Sequence, residues 1–428
     1  MKFIKQISTY TLVGAFGAGI NFFVMPILSH YLTPADYGTL SLFNTYVLLL
    51  IPIVSLNAYA ILSVDYYKQS DKNSFASQFT SLQIIPLVTT LILAVVTWLL
   101  FGRFASLLEL GNTGIKWGYV ILIITFLTIC YEQFISFLVL RKEAGAFAIY
   151  SILKVVIEVG LTFYFIVVKK MNWEGRMYSW LITSIIYFGL GAFYFYKKGL
   201  LKRSINFSYI KEGILFGSPL ILHTIGKFII NQSDRLFIIK MVPAGISEAG
   251  IYNIGYTVGS LVLILVNAFF NFYTPFLMEK LSLQSENYKL QIVRISYYYF
   301  LACIFLLLLI SIFTPILFHY FIDPSYTRGQ AYVFWVALGY CFWGGYMLFS
   351  GFIFFHKRNR ILGWLAVFNV VTNALFNYLF IQAFGPLGAA YATALSFFLL
   401  MIIIAYQAQR IAPMPWFSFR KVLKANFN

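Results

Sequence analysis

Charge is the scarcest commodity in this sequence. Only 11% of its 428 residues are Asp, Glu, Lys or Arg, against 61% hydrophobic, and mean hydropathy is +0.81. A soluble domain carries about 25% charged residues, so this chain has too few to cover a folded surface in water. Acidic residues are the rarer sign, 14 against 31 basic, for a net charge of +17. That excess does not imply nucleic acid, because the basic residues are spread along the chain between apolar runs rather than gathered on one element. Cysteine is nearly absent too. Cys130, Cys303 and Cys341 are odd in number and sit inside apolar runs, which excludes a disulfide framework or a CxxC metal site and reads as buried thiols. The four histidines, His30, His223, His319 and His356, are scattered without metal-ligand spacing. No GxxxxGK[ST] loop is present to cradle ATP, no DxD occurs, and no connecting segment is long enough for a catalytic domain. The expectation is a transport step without chemistry: not an enzyme, and no cofactor or metal.

What abounds is long apolar runs. They cover roughly 7–31, 38–62, 79–101, 116–138, 147–168, 178–196, 213–240, 250–275, 296–319, 331–354, 362–382 and 388–408. Each is near the ~20 residues that one bilayer crossing requires, and helices alone satisfy an open-ended backbone in lipid. The expected fold is therefore all-α and polytopic, with about twelve transmembrane helices. The first run follows Lys2 and Lys5 and is too long for a signal-peptide core, so it reads as an uncleaved first helix. The shortest run is 178–196. Orientation follows from the loops. With the N-terminus inside, cytoplasmic segments hold 21 of the lysines and arginines, five of them in the Lys197–Lys211 loop, and the opposite side holds 7. The positive-inside rule then puts both ends in the cytoplasm. The remaining three basic residues, Lys154, Lys227 and Arg235, lie inside apolar runs.

The chain also repeats itself. Asp36 and Gly38 after the first run align with Glu248 and Gly250 after the seventh, at an offset of 212, and Lys154–Gly175 resembles Asn369–Gly388 at offsets of 215 and 213. Six spans per half is even, so the halves enter the membrane in the same sense, as parallel repeats around a central cavity. The expected division is a lobe over 1–200, a lobe over 201–409 and a cytoplasmic amphipathic tail over 410–428. Trp416, Phe417, Phe419, Val422, Leu423 and Phe427 in that tail suit a membrane surface, with Arg420, Lys421 and Lys424 meeting anionic headgroups. On that reading the tail is dispensable for the fold.

Ionisable groups at membrane depth are costly and tend to face a cavity or a partner. Run seven carries His223, Lys227, Asn231 and Arg235 every four residues, one slowly drifting stripe on a helix. We expect these four to line a substrate cavity, with Asp234 holding Arg235. Glu132, Glu158 and Asp234 are candidates for ion coupling, although Lys154 and Glu158 at i,i+4 also suit a structural pair. Asn369, Asn373 and Asn377 in run eleven read as hydrogen-bond glue between helices, and Gly213/Gly217 and Gly255/Gly259 as close helix packing.

Short motifs along the chain resemble the polysaccharide repeat-unit flippases, the O-antigen and capsule exporters of the multidrug/oligosaccharidyl-lipid/polysaccharide (MOP) superfamily. They are Asn206–Glu212, Phe216–Leu220, Asp234–Leu236, Glu248–Tyr252, Pro275, Leu32–Gly38 and Gly385–Ala390. The resemblance implies two six-helix lobes that open alternately to each side, with spans one, two, seven and eight at the centre. It implies an undecaprenyl-diphosphate-linked oligosaccharide as cargo for lipopolysaccharide or capsule synthesis, in contact with membrane lipids and a polysaccharide polymerase. Arg235 and Lys227 match positions where the family puts cavity cations. Span one carries no charge between Lys5 and Asp36, so the cationic character rests on one lobe. The rival readings are a cation-coupled drug antiporter of the same superfamily using Asp234 or Glu132, and a membrane glycosyltransferase or polymerase. A lipid II flippase is a narrower rival that brings extra helices.

Overall fold

A chain that cannot hydrogen-bond to water must bond to itself, and this one does so as helices. The computed structural model describes the backbone of residues 2–68, 71–104, 114–202, 205–283 and 285–423. For 2–11, 15, 18, 21, 68, 72, 101–104 and 423 it describes no side chain. Lys2, Lys5, Lys68, Lys72, Arg103, Arg203 and Lys424, all used above for orientation, therefore lie outside the described side chains, as do Leu423 and Phe427 of the tail. The helices are α1 (Lys2–Ser29), α2 (Pro34–Ser55), α3 (Ile61–Lys68), α4 (Lys72–Phe104), α5 (Ile115–Leu140), α6 (Ala144–Phe163), α7 (Trp173–Lys197) and α8 (Phe207–Met241). They continue with α9 (Gly245–Gly259), α10 (Leu261–Ser282), α11 (Glu286–Tyr320), α12 (Gln330–Phe355), α13 (Asn359–Phe384), α14 (Leu387–Ile411) and the short α15 (Phe419–Leu423). Among the described residues eleven helical segments are long and apolar enough to cross a membrane, α9 and α10 counting as one. They match the second to twelfth expected spans in order, and α1 carries the first. The protein is a multi-pass, all-helical membrane protein.

Span six is longer than its apolar run. α7 begins at Trp173, after Asn172, and takes in Glu174 and Arg176. The apolar run stops short of Arg176, whose charge the fold pairs with Glu158.

By packing the chain divides into two units, Met1–Val24 with Thr39–Phe228, and Met25–Gly38 with Ile229–Asn428. This grouping differs from a division at 200 and 201, because α1, α2 and α8 each contribute to both units. In the first unit an aromatic core of Phe79, Phe134, Phe137, Tyr187 and Phe195 joins α4, α5 and α7. α2 breaks there: Leu56 and Asn57 both adopt positive φ, 48° and 49°. Two such residues in succession are costly and persist only where the surroundings over-determine them. The surroundings do so. The Asn57 amide N–H donates to Ser55 Oγ at 3.1 Å, its side chain donates to Thr224 at 3.2 Å, and a Cβ on Gly217 of α8 would overlap the Leu56 carbonyl.

The second unit is built on small residues. Ala389, Ala390 and Ala392 of α14 are fully buried, Gly339 packs on Ala394, and Gly255 and Gly259 lie flush against the Gly329 and Val333 carbonyls. The expected glycine pairs are thus close-packing positions. The α1–α2 elbow belongs to this unit. Tyr326 donates to the Leu32 carbonyl at 2.7 Å, and the Asp323 amide donates to Ser29 at 3.0 Å. Hydrogen bonds from the Ser325 hydroxyl and amide hold the Asp323 carboxyl below the usual carboxylate range. A Cβ on Gly38 would strike the Ile246 carbonyl, and one on Gly250 would strike the Pro34 carbonyl. Adding 212 to 38 and 34 yields 250 and 246, so the two contacts are the same contact seen from either repeat.

The tail is more than a surface strip. Gln409 bonds the Met414 amide at 3.0 Å and the Trp416 indole at 2.9 Å. Trp416 packs its ring on Phe349 and Phe352, its carbonyl accepts from Tyr297, and Val422 is fully buried. Of the tail's described aromatic residues, Phe417 and Phe419 stay exposed.

Candidate functional site

Among the described residues, most of the charged side chains singled out above gather in two groups, one in each unit. In the second unit Asp234 and Arg235 of α8 are adjacent in sequence and both buried, 0% and 3% exposed. They face different partners. The Asp234 carboxylate accepts from Tyr252 at 2.7 Å, from Asn377 at 3.0 Å and from Thr393 at 3.2 Å. Three helices, α9, α13 and α14, thereby converge on one carboxylate. Asn377 also donates to Asn373 Oδ1 at 3.1 Å, and Asn373 to Ser396 at 3.3 Å. Asn373 and Asn377 are the glue expected of them, with Asp234 as anchor, whereas neither side-chain polar atom of Asn369 has a partner among the described residues. The Asn377 and Asn369 side-chain oxygens have no partner among the described residues. A buried carboxylate, one of whose donors keeps an uncommitted amide oxygen, can take up a proton or a hard cation.

Arg235 turns the other way. Its guanidinium donates to the Asn231 backbone carbonyl at 2.8 Å and to Asn253 Oδ1 at 3.3 Å, and lies 3.9 Å over the Tyr256 ring. The Tyr256 hydroxyl bonds in turn to that of Tyr340. Aromatic faces stabilise a desolvated guanidinium by about 2 kcal/mol. Its Nε has no partner among the described residues, so that N–H is left uncommitted. Asn231 is half-buried on the same helix. The hydrogen bonds and ring contacts of Arg235 go to amide oxygens and aromatic rings, not to the Asp234 carboxylate that the sequence suggests as its holder.

His223 and Lys227, the rest of the expected stripe, belong to the first unit and are exposed. That unit's charged cluster joins α6 to α7. Lys154 bonds Glu158 at 2.9 Å and Arg176 reaches the other Glu158 oxygen at 2.9 Å. Arg176 also donates to Thr162 at 2.7 Å, and Lys154 lies 4.9 Å from the centre of the Tyr131 ring. The i,i+4 pair is therefore one side of a three-charge cluster. Glu132 stands apart, accepting from Tyr59 beside the α2 break.

Sequence reasoning missed Arg176, Tyr59, Tyr252, Asn253, Tyr256 and Thr393 as partners. The apolar run 178–196 leaves Arg176 outside the span, although Asn172 followed by Glu174 is a helix-start signal that brings it in. The tyrosines carried no signal, because aromatic residues in apolar runs are ordinary. Their role comes from the helices they face.

Comparisons with known proteins agree with this fold. An inward-facing multidrug resistance MATE family transporter of the MOP superfamily superimposes with a TM-score of 0.67 at 15% identity, covering 92% of this chain and 94% of that one. The lipid II flippase MurJ, in an inward closed conformation, does so with a TM-score of 0.68 at 13% identity, covering 97% and 89%. The Lsg locus putative protein 1 of Haemophilus influenzae is 20% identical over 384 residues, 87% of this chain and 89% of its own length. Residues 3–279 match the model of the polysaccharide biosynthesis proteins, and the chain belongs to that family.

Proposed function

We propose that this protein flips an undecaprenyl-diphosphate-linked oligosaccharide from the cytoplasmic to the outer leaflet of the bacterial inner membrane by alternating access, with both chain ends in the cytoplasm. The repeat unit would serve O-antigen or capsule synthesis. The observation that carries the reading is membership of a polysaccharide biosynthesis family by a chain made almost wholly of membrane-spanning helices. A diphosphate and a sugar cannot cross hydrocarbon unaided, so such a pathway needs a carrier of this kind. The basic residues of α8 support an anionic cargo. Lys227 is exposed at membrane depth, and Arg235 carries an uncommitted Nε. Arg pairs with phosphate oxygens at two points and Lys at one. Asp234, the anchor of three helices, is our candidate for the coupling ion, with Glu132 second.

The likeness of fold to a multidrug transporter supports a second reading, cation-coupled drug efflux. One experiment separates the two. In a flippase-deficient strain, expression should restore surface polysaccharide and leave drug tolerance unchanged. Raised drug tolerance without restored polymer would overturn the proposal.

A further inference from the structure

The cluster on α6 and α7 has one more positive charge than it needs. Lys154 and Glu158 alone would be neutral. Arg176, bonded to the second oxygen of the same carboxylate, leaves a net charge of +1 within the spans. Among the described residues no carboxylate but Glu158 bonds either cation. Tyr131 offers a ring face to Lys154, Thr162 a hydroxyl to Arg176, and Glu132 accepts from Tyr59 rather than from the cluster. Leftover charge at membrane depth is expensive and marks function more often than packing. The cluster is also reachable, since the three side chains keep 15–23% of their surface exposed. Each cation has N–H donors beyond those it uses here.

We infer that Lys154 and Arg176 form a binding site for a phosphate group carried by a membrane lipid, with Glu158 as the internal counterion that holds the two cations ready. An arriving phosphate takes hydrogen bonds from Lys154 Nζ and the Arg176 guanidinium, and displaces one or both contacts to Glu158. The site rests on the proposed function for the identity of the lipid, and it deepens that reading by placing a phosphate contact in the first unit, apart from α8. Two lipids offer the same chemistry, the polyprenyl diphosphate of the cargo and a bulk anionic phospholipid.

The test is binding of undecaprenyl diphosphate, and separately of phosphatidylglycerol, to the purified full chain in neutral-lipid nanodiscs. Lys154→Gln and Arg176→Gln should each weaken undecaprenyl diphosphate roughly tenfold or more, the loss of one charge-assisted contact. Glu158→Gln should strengthen it, which no purely structural triad predicts. Lys202→Gln, the loss of an exposed charge between α7 and α8, serves as the control. If Lys154→Gln lowers the thermal transition, Arg176→Lys carries the test, retaining partial affinity with the charge in place. Wild-type affinity in every cluster variant overturns the inference and leaves the proposed function standing. A wild-type chain with no preference for undecaprenyl diphosphate over phosphatidylglycerol overturns the cargo assignment instead. An equal loss of both lipids in the variants keeps the phosphate site and assigns it to bulk lipid.

Discussion

Neighbours in sequence need not be partners in space. Asp234 and Arg235 point about 100° apart on an α-helix, so a helix packed on two sides offers them different surroundings. The carboxylate meets three donors and the guanidinium meets two aromatic rings. This changes what substitution should do. Asp234→Asn swaps one acceptor oxygen for an NH2 that faces O–H and N–H donors, and should lower stability by about 1–3 kcal/mol. Its effect on export should equal or exceed that of losing Arg235, whereas a carboxylate that merely orients Arg235 would give a milder one. Arg235→Met keeps the buried stem and removes the charge. Surface polysaccharide should be lost while the protein accumulates at wild-type levels, and Arg235→Lys should retain part of the function. Immunoblots of membrane fractions beside polymer staining measure both. Normal polymer display by Arg235→Met at matched expression would remove Arg235 from the proposed cargo path.

At the level of elements, the reciprocal glycine contacts of the α1–α2 elbow make a symmetric prediction. Gly38→Val and Gly250→Val each push a side chain into a backbone carbonyl that cannot step aside. Overpacking of this kind costs about 1–3 kcal/mol, and the two variants should lose similar amounts because they disturb the same contact from its two sides. Thermal unfolding of the detergent-purified protein compares them; a loss in one variant alone would break the equivalence. The repeat was visible in the sequence as Asp36/Gly38 against Glu248/Gly250, yet its packing was not. An offset says which residues correspond, and only the fold brings corresponding residues into contact. The tail makes the opposite point. Its aromatic residues read as membrane anchors, but Trp416 and Val422 face the protein. Truncation after Gln409 should therefore lower the thermal transition, and so should Trp416→Ala. An unchanged transition would restore the peripheral role.

For the molecule as a whole, topology is the claim with the most direct test. Cysteines at Lys202 and Lys169, in a chain whose three native cysteines have been replaced, should label from the cytoplasmic and the outer side respectively. Labelling of both from outside would overturn the orientation. Glycines serve less well: Gly199 has φ of +67°, and a Cβ on Gly245, at the start of α9, would collide with the Ile239 carbonyl. Membrane class, the order of the spans and the repeat were legible in the sequence, for one physical reason. A bilayer imposes a length and a polarity on every crossing, and each crossing must satisfy its own backbone, so these properties are written locally, residue after residue. Tertiary structure decided the rest. It joined Arg176 to Glu158, turned Arg235 onto Tyr256, brought Asn377 and Thr393 to Asp234, and set α1, α2 and α8 across both packing units. Those choices depend on which helix faces which, and apolar runs of equal hydrophobicity do not encode that. It is decided where small residues let backbones approach and where a buried polar group finds the partner that hydrocarbon cannot supply.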